Sequence, residues 1–394
     1  MKELNFEFPI LSINKSEYTN VKRWIHKYKI KIAEKKLYIF GAGIRGNMFL
    51  TLLEEEHISV TGFGDNSTEK QGGYIKNYPI LSMDEICDDL DSNVVLVSTE
   101  NYYEIERMLI EKGCKKNLHY FIIENNIYQS FYDEFFSSRE IKYIVFGDCF
   151  FTELDVDDLS GQTMGEMIKA AGGVDITKVL SIHGMCIPSF YHLMREQLNL
   201  GIRPEAVGFI VNIPFCNGIQ TKLPQSQHCV LLKQIDEGLP YHSEFFSKYV
   251  RLTEERSKNI NAKSFSTNRV RNNDNVEKIL TKTRYMYELN EENENIEFLE
   301  RLVQLLLENN IKPVPFIPAL NYFSGVEWFG DEFIVKYNQI CQQIKEKLQK
   351  MGVCILDMSL LLDKSYFTGD RMTKFPSKEG KEKEIELLIN ALEV

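Results

Sequence analysis

A cysteine directly after an apolar run is the first residue of this chain whose position suggests chemistry. Residues 143–146 read Tyr-Ile-Val-Phe, which is typical of a buried strand, and the run stops at Gly147-Asp148-Cys149. The turn after a strand is where many α/β enzymes hold a nucleophile, and a thiol ionises more readily than a hydroxyl. Cys149 is therefore a candidate nucleophile. The alternatives are a residue that lines a former site and a small residue that only packs in the turn.

A second pattern, rich in glycine, follows an earlier apolar run. Gly41, Gly43 and Gly46 fit G-x-G-x-x-G between a predicted strand and a predicted helix, which is the context that a phosphate-binding turn requires. The glycines permit a tight turn, and the helix N-terminus offers N–H groups to a pyrophosphate. Asp65 ends the next predicted strand, where an acid can bind a ribose hydroxyl. The pattern indicates nucleotide or nucleotide-sugar binding; the alternative is a turn that only packs helix against strand.

Two series of alternating strands and helices must position these residues. The first series gives a domain over residues 1–138, and the second gives a domain over residues 139–394. A polar segment near 220–285 interrupts the second series and is either a helical insertion or a cap. Because strands that alternate with helices form parallel sheets with crossover connections, we expect a two-domain α/β protein.

Composition narrows the class of partner. A net charge of -11 gives little support to nucleic-acid binding, which needs clustered basic side chains. No apolar run approaches the roughly 20 residues of a membrane span, and the first residues lack a secretory pattern. The eight cysteines are scattered without Cys-x-x-Cys, as expected for reduced thiols and no metal site. We therefore expect a cytoplasmic protein that acts on a small molecule or a glycan; its oligomeric state is left open.

The region around residues 36–125 resembles the Rossmann-like N-terminal domains of bacterial sugar acyltransferases and other glycan-modifying enzymes. The residues that carry the resemblance run from LYIFGAGIRGN to ILSMDEI. It implies a domain that binds a nucleotide-sugar or is accessory, and no other cofactor is expected. It does not imply hydride transfer, so an NAD-dependent enzyme is the least supported hypothesis of function.

The chain from residue 143 onward resembles the SGNH/GDSL hydrolase family, which has a flavodoxin-like α/β/α sandwich. The Gly-Asp-Cys turn stands where the family has Gly-Asp-Ser. The resemblance implies that Gly184, in SIHGMCIPSF, and Asn212, in GFIVNIPF, donate to an oxyanion. It also aligns Asp370, in YFTGDRMTKF, with the acid of the closing Asp-x-x-His block.

The sequence departs from that family at two positions. Cys149 replaces the serine, and no histidine follows His242, so the family's catalytic histidine is missing. The two changes are compatible, because a thiolate near a cation or a helix N-terminus needs less help from a base. Lys374 is then a candidate to stabilise or activate the thiolate, and His183, beside the oxyanion glycine, is another.

Two functions follow from these features. The first is acyl transfer or acyl hydrolysis on a sugar or another small activated substrate in bacterial glycan or related biosynthesis, with Cys149 as the nucleophile. The second is a catalytically inactive protein that binds a glycan or a partner enzyme and senses a nucleotide through its N-terminal domain.

Overall fold

A computed structural model provides the structure of most of the chain. The residues that it describes are 21, 24–25, 28–32, 34–99, 102–122, 126–137, 140–152, 162–218, 227–261, 274–290, 293–367, 372 and 376–393. The chain divides into two compact units, Met1–Gln129 and Ser130–Val394. The pattern of the sequence puts a boundary at residue 138, and that placement stays a prediction.

The first unit is built from one six-stranded sheet and its connecting helices. In chain order its elements are β1 (Lys36–Phe40), α1 (Ile44–Glu55), β2 (Val60–Gly64), β3 (Tyr74–Ile75), β4 (Tyr78–Leu81), α2 (Met83–Cys87), β5 (Asn93–Val97), α3 (Tyr102–Glu111), β6 (Tyr120–Ile122) and α4 (Asn126–Phe136), which continues into the second unit.

The sheet of the first unit has the strand order β3-β4-β2-β1-β5-β6. All neighbours are parallel except β3 and β4, which form an antiparallel pair. Without β3, the five parallel strands follow the order 3-2-1-4-5 of a doubly wound dinucleotide-binding sheet. The chain therefore reverses its direction of winding at β1, the strand that leads into the glycine-rich turn.

The central strand β1 is buried on both faces. Leu37 and Ile39 belong to one hydrophobic cluster, and Tyr38 and Phe40 belong to another. Because side chains alternate along a strand, the two clusters cover opposite faces of the sheet. This burial explains why the strand reads as a continuous apolar run in the sequence.

Helical residues upstream of β1 complete one of these clusters. The sequence predicts an amphipathic helix at 15–34, of which the structure describes part. The five apolar residues predicted to share a face do lie in or against one cluster, which confirms that face: Val21, Trp24, Ile25, Tyr28 and Ile32.

The second unit is built around a five-stranded sheet. Its further elements in chain order are β7 (Tyr143–Gly147), α5 (Cys149–Thr152), α6 (Met164–Ala171), β8 (Thr177–Ser181), α7 (Ile187–Asn199), β9 (Ala206–Ile210), a 3-10 helix (Ile213–Asn217), α8 (Cys229–Gly238), α9 (Glu244–Asn261), α10 (Asp274–Tyr285), α11 (Glu294–Glu308), β10 (Lys312–Ile317), α12 (Phe323–Phe329), α13 (Asp331–Gln349), β11 (Leu356–Asp357), a second 3-10 helix (Lys364–Tyr366) and α14 (Lys378–Glu393).

All strands of this sheet are parallel, in the order β11-β10-β9-β7-β8. Numbered within the unit this order is 2-1-3-4-5, that of flavodoxin-like folds. The strand order reverses between β7 and β9. In open α/β sheets ligands bind outside the carboxyl ends of the strands at such a reversal. The Gly-Asp-Cys turn follows β7 and therefore lies there.

Helices cover both faces of this sheet. Phe146 stacks on Phe190 of α7 at 5.3 Å between ring centroids. The neighbouring Val145 faces Leu388 of α14 across Gly208. Because consecutive strand residues point to opposite faces, α7 and α14 lie on opposite sides of the sheet. The unit is a three-layer α/β/α sandwich, and the whole chain is a two-domain α/β protein, as the sequence predicts.

The predicted polar insertion contains helices α8, α9 and α10, which lie between β9 and α11. Helix α9 packs against α8 and α7, and α10 packs against the first 3-10 helix. Over its described residues the segment is therefore a helical insertion that packs onto the sandwich.

A fully buried lysine fastens α4 to the second unit. Lys178, on β8, donates from Nζ to the carbonyl oxygens of Phe135 and Ser137 and to Gln197 Oε1, at 2.9, 3.3 and 2.7 Å. Gln197 Nε2 donates to the Phe135 oxygen as well, at 3.0 Å. A cation at a helix C-terminus satisfies its last carbonyl groups and interacts favourably with the helix dipole. The end of α4 is thus part of the core of the second unit.

No helix among the described residues is long and apolar enough to cross a membrane.

Candidate active site

The turn after β7 is shaped by an aromatic ring. A Cβ atom on Gly147 would lie 2.1 Å from the ring of Phe151, so only glycine fits at this position. Phe151 is fully buried and stacks on Phe316 of β10 at 5.9 Å and 7°. The glycine therefore lets α5 start directly at the end of the strand, with Cys149 as its first residue.

Asp148 joins the ends of two neighbouring strands. Its side chain is fully buried. Oδ1 accepts from the Phe150 N–H at 2.9 Å, and Oδ2 accepts from Asn212 Nδ2 at 2.6 Å. Asn212 follows β9, so this second bond spans the reversal of strand order between β7 and β9. The predicted site residue Asn212 is thereby brought to the Gly-Asp-Cys turn.

Cys149 differs from the buried cysteines of the second unit. It is partly exposed, whereas Cys186 and Cys216 are buried. Burial raises the pKa of each of those two thiols to about 12, which keeps them neutral and unreactive at neutral pH. Cys149 is thus accessible to a substrate at the edge of the sheet where ligands are expected.

Gly184 lies at the same edge of the sheet. The register of the parallel strands pairs Gly147 with Ser181, so the turns that follow β7 and β8 start side by side. Gly184 has φ +77° and sits in a tight turn that the Met185 N–H closes on the Ile182 carbonyl oxygen at 3.1 Å. The three predicted blocks therefore come from three adjacent strand ends.

Of the remaining predicted site residues, the structure describes one and leaves two outside its described range. His183 is exposed and precedes Gly184, as the sequence places it. Asp370 and Lys374 lie outside the residues that the structure describes. Phe367 and Pro376, which flank them, form an isolated antiparallel bridge, so the ends of that segment meet beside α14.

Two buried polar side chains were not among the predicted site residues. Glu384, on α14, accepts from the Ala319 N–H at 2.6 Å just beyond β10. Burial raises the pKa of Glu384 to about 8, against the opposing effects of that N–H and of Lys381. His228 precedes α8 and is 7% exposed. An acid among the apolar positions of α14 was visible in the sequence, whereas nothing in the polar stretch LPQSQHCV indicates that its histidine is buried.

The glycine-rich turn of the first unit is tightly closed. Gly41 has φ +115°, and a Cβ on Gly46 would lie 2.1 Å from the Gly41 carbonyl oxygen. A Cβ on Gly43 would meet nothing within 4 Å. The first and third glycines of the motif are therefore required by the fold, while the second leaves room for a ligand to approach the backbone.

The carboxylate of Asp65 already accepts three hydrogen bonds within the first unit. Its Oδ2 accepts from the Ala42 N–H and from Lys70 Nζ, both at 2.9 Å, and its Oδ1 accepts from the Ser67 N–H at 2.9 Å. Lys70 also donates to the Ala42 carbonyl oxygen at 3.1 Å. The predicted role of Asp65 towards a ribose hydroxyl stays untested, and a ribose would have to share a carboxylate that already braces the turn.

No group of three or more His, Cys, Asp or Glu side chains that could hold a metal ion occurs in the part of the chain that the structure describes.

Comparison with known proteins gives a family match for part of the first unit and low-scoring likenesses to solved structures. A family model described as C2185-like, N-terminal, matches residues 33–118. No curated protein matches the chain. A GDSL-like lipase from Bacteroides thetaiotaomicron is 12% identical with a TM-score of 0.36 and aligns over 68% of this chain and 97% of that chain. Axe2, an acetylxylan esterase from Geobacillus stearothermophilus, is 13% identical with a TM-score of 0.31 over 66% and 95%. At these scores the likenesses assign neither residues nor substrate.

Proposed function

We propose that the second unit catalyses acyl transfer or acyl hydrolysis on a sugar or another small activated substrate, with Cys149 as the nucleophile. The observation that carries the proposal is the 2.6 Å hydrogen bond from Asn212 to Asp148, which joins the ends of β7 and β9 beside a partly exposed cysteine. The order of the turns that carry Cys149, Gly184 and Asn212 agrees with the SGNH/GDSL resemblance.

The reaction begins with attack of the Cys149 thiolate on the ester carbonyl carbon. A C–S bond forms and the carbonyl π electrons move to oxygen; the carbonyl then re-forms as the C–O bond breaks, and the leaving alkoxide takes a proton from solvent water. The product is a thioester on Cys149. Attack by water on the thioester gives hydrolysis, and attack by a hydroxyl of a second sugar gives transfer; in both cases the C–S bond breaks, the thiolate is released and the attacking oxygen loses its proton to solvent.

The oxyanion is assigned to three donors: the N–H groups of Cys149 and Gly184 and the amide of Asn212. An amide NH₂ has two N–H donors. One N–H of Asn212 binds Asp148, which fixes the plane of the amide, and we assign the other to the oxyanion. Loss of one such donor typically lowers kcat by about 10²–10³. Asp370, with Lys374 or His183, is assigned to tune the thiolate.

The test compares turnover of 4-nitrophenyl acetate and of acetylated sugars by the wild type and the Cys149→Ala variant. We expect the variant to lose turnover, and we expect the wild type to accumulate a thioester that hydroxylamine releases. Cys354 is exposed and lies outside the site, so Cys354→Ala is the matched control and should keep full turnover. Equal rates for wild type and Cys149→Ala would remove Cys149 from the mechanism.

A second candidate function is a binding protein without catalysis, and the position of Asp148 favours it. Its buried carboxylate already accepts hydrogen bonds from the Phe150 N–H and from Asn212, so it is not placed to act as a base for the neighbouring Cys149. The alkylation rate of Cys149 by iodoacetamide, with Cys354 as an internal reference, separates the candidates. Slower alkylation than at Cys354, together with no acyl adduct, would favour the binding protein.

For the first unit we propose binding of a nucleotide or nucleotide-sugar at the turn that contains Gly41, Gly43 and Gly46. The reversal of strand order at β1 and the open space at Gly43 support it. A ligand that binds only the folded state raises the temperature of unfolding. A shift with a UDP-sugar but none with NAD is expected, and a shift with NAD alone would favour the dehydrogenase alternative.

A further inference from the structure

A cleft lies beside the first 3-10 helix, which directly follows the predicted oxyanion donor Asn212. It is bounded by this helix and by the end of α10, and it has a volume of about 420 Å³. Small-molecule sites commonly have volumes of about 300–1,000 Å³. The residues that line the cleft are Asn217, Ile279, Lys282, Thr283, Tyr287 and Glu288. The cleft is therefore large enough for a small ligand, and the site beside Cys149 uses none of its lining residues.

Hydrogen bonds fix the wall that the 3-10 helix forms. Three side chains between residues 287 and 295 donate to carbonyl oxygens of this helix: the Tyr287 hydroxyl to Ile213 at 2.8 Å, Asn295 Nδ2 to Phe215 at 2.6 Å, and Asn293 Nδ2 to Cys216. Asn217 Nδ2 donates to the Thr283 carbonyl oxygen at 3.3 Å and so joins the two walls. Because a ligand does not have to order these walls on binding, the cleft is preformed.

The lining combines an apolar side chain with groups of both charges. Ile279 is 64% exposed. The side chains of Lys282 and Glu288 are exposed as well, and within the part of the chain that the structure describes neither of them makes an ion pair or a hydrogen bond. The ammonium of Lys282 is therefore available to an acceptor, and the carboxylate of Glu288 is available to a donor.

These groups favour a hydroxyl-rich ligand over other classes of small molecule. A nucleotide or another polyanion would meet one ammonium and one carboxylate, so the cleft offers it no net positive charge. An acyl chain would leave both charges without a hydrogen-bond partner. A sugar hydroxyl both donates and accepts, so one ring can bind Lys282 and Glu288 together while its C–H face packs on Ile279.

The 3-10 helix separates the cleft from the proposed chemistry. The helix contributes its last residue, Asn217, to the lining. Because a 3-10 helix rises about 2 Å per residue, Asn217 lies roughly 8 Å along the helix from Ile213, the residue next to Asn212. That length exceeds the span of one pyranose ring. A sugar in the cleft is thus a further unit of a chain, distinct from the unit whose ester would react.

We propose that this cleft binds a sugar unit of an oligosaccharide substrate, at least one unit away from the one that carries the acyl ester. The substrate class is then an acylated oligosaccharide or polysaccharide rather than an acylated monosaccharide. The inference rests on the proposed function for the ester, whereas binding of the glycan in the cleft does not depend on catalysis.

Binding is measured on the full chain, both as wild type and with Cys149→Ala. The probes are a printed array of bacterial surface glycans, followed by calorimetry with the tetrasaccharide and the monosaccharide of the best ligand. We expect the tetrasaccharide to bind and the monosaccharide to bind much more weakly. Lys282→Met and Glu288→Gln should each lower the affinity for the tetrasaccharide about tenfold, because each removes a hydrogen bond to a charged group.

Lys248→Met and Glu255→Gln are the matched controls. Both residues are exposed on α9 and do not line the cleft, and the two substitutions change the net charge as those in the cleft do. The control variants should bind the tetrasaccharide as the wild type does. All four side chains are at the surface, so the variants should fold, and thermal unfolding verifies this.

Turnover relates the cleft to the ester. With an acetylated tetrasaccharide as substrate, Lys282→Met and Glu288→Gln should lower kcat/KM about tenfold, in line with the loss of affinity. With 4-nitrophenyl acetate, which is too short to reach the cleft, both variants should keep the wild-type kcat/KM.

Glycan binding that the two cleft variants leave unchanged would overturn the inference, and so would the absence of binding to every glycan on the array. If the wild type turns over both substrates and the cleft variants keep its kcat/KM on the acetylated tetrasaccharide, the inference is wrong and the proposed function stands. Glycan binding that is lost in the cleft variants of a protein without ester turnover would instead sink the proposed function and leave the cleft as a glycan-binding site.

Discussion

The turns after β1 and after β7 both connect a strand to a helix, but different side chains hold them. Each follows a strand at the reversal of strand order in its sheet, each contains a glycine where an added Cβ would clash, and each is held by an aspartate carboxylate. In the first turn Asp65 comes from the neighbouring strand and is held by a lysine and backbone N–H groups. In the second turn Asp148 belongs to the turn itself and receives the side chain of Asn212.

The two units differ in which polar groups remain available to a ligand. In the first unit the Asp65 carboxylate already accepts from Lys70 and from backbone N–H groups. The group that remains open to a ligand is the backbone around Gly43. In the second unit the carboxylate fixes the amide of Asn212 beside an accessible thiol. An aspartate carboxylate thus closes the first turn, whereas in the second turn it fixes the orientation of one side-chain amide, that of Asn212.

The largest expected effect comes from a methyl group at the crowded glycines. Gly147→Ala and Gly46→Ala would each place Cβ 2.1 Å from a neighbouring atom and should destabilise the protein by about 3 kcal/mol, through overpacking. Gly43→Ala, which meets nothing within 4 Å, is the matched control and should change stability by less than about 0.5 kcal/mol. Chemical denaturation measures all three, and a neutral Gly147→Ala would show that Phe151 does not define the turn.

Removal of the two bracing carboxylates should separate stability from catalysis. Asp148→Ala leaves the Asn212 amide and the Phe150 N–H without this acceptor in a buried place, at a cost of about 2–3 kcal/mol. It should also abolish turnover. Asp65→Ala loses three donors at a partly exposed side chain, costs about 1–2 kcal/mol and should leave turnover intact. Loss of turnover in both would mean that the turns do not have separate roles.

The buried acid of the second unit predicts a pH dependence of the stability of the protein. The pKa of Glu384 rises from 4.5 to about 8 on folding, so the native state binds more protons than the unfolded state between these values. Stability from this group is complete below pH 4.5 and declines as pH rises to about 8, by a few kcal/mol. Thermal unfolding at several pH values should show that slope in the wild type and a reduced slope in Glu384→Gln; identical slopes would contradict it.

The smallest expected effect is at the lysine of the first turn. Lys70 is 35% exposed in its ion pair with Asp65, so Lys70→Met should cost less than about 1 kcal/mol. If the pair competes with a ribose for Asp65, the variant should bind a UDP-sugar more tightly than the wild type. Thermal shift and calorimetry measure this, and weaker binding by the variant would show that Lys70 contacts the ligand.

The sequence was sufficient for most strands of the two sheets, because most of these strands are buried on both faces. Runs such as those of β1 and β7 are apolar throughout, and each is followed by a glycine and a helix. The short antiparallel pair of β3 and β4 was missed, because Tyr74–Ile75 is too short to show a period. The apolar run AVGFIVNIPF predicts one strand, but the strand ends at Ile210, since the chain turns into a 3-10 helix with Pro214 in its first turn.

The site was predictable only where a motif carried it. The sequence proposes the Gly-Asp-Cys turn and Asn212, whose roles stay predictions, but the bond between Asp148 and Asn212 joins residues 64 positions apart, a separation no local pattern reveals. The bracing of Asp65 by Ala42 was equally hidden, because its partner is a backbone N–H. His228 lies in a polar stretch, and its burial depends on how the insertion packs.

The buried ammonium of Lys178 determines where a recombinant fragment of the second unit should begin. A fragment that starts at residue 139 would lack the oxygens of Phe135 and Ser137 that hold this cation, leaving a charge inside the core with Gln197 as its one partner among these three. A recombinant second unit should therefore begin upstream of Asn126, so that the connecting helix travels with the sandwich it is anchored to.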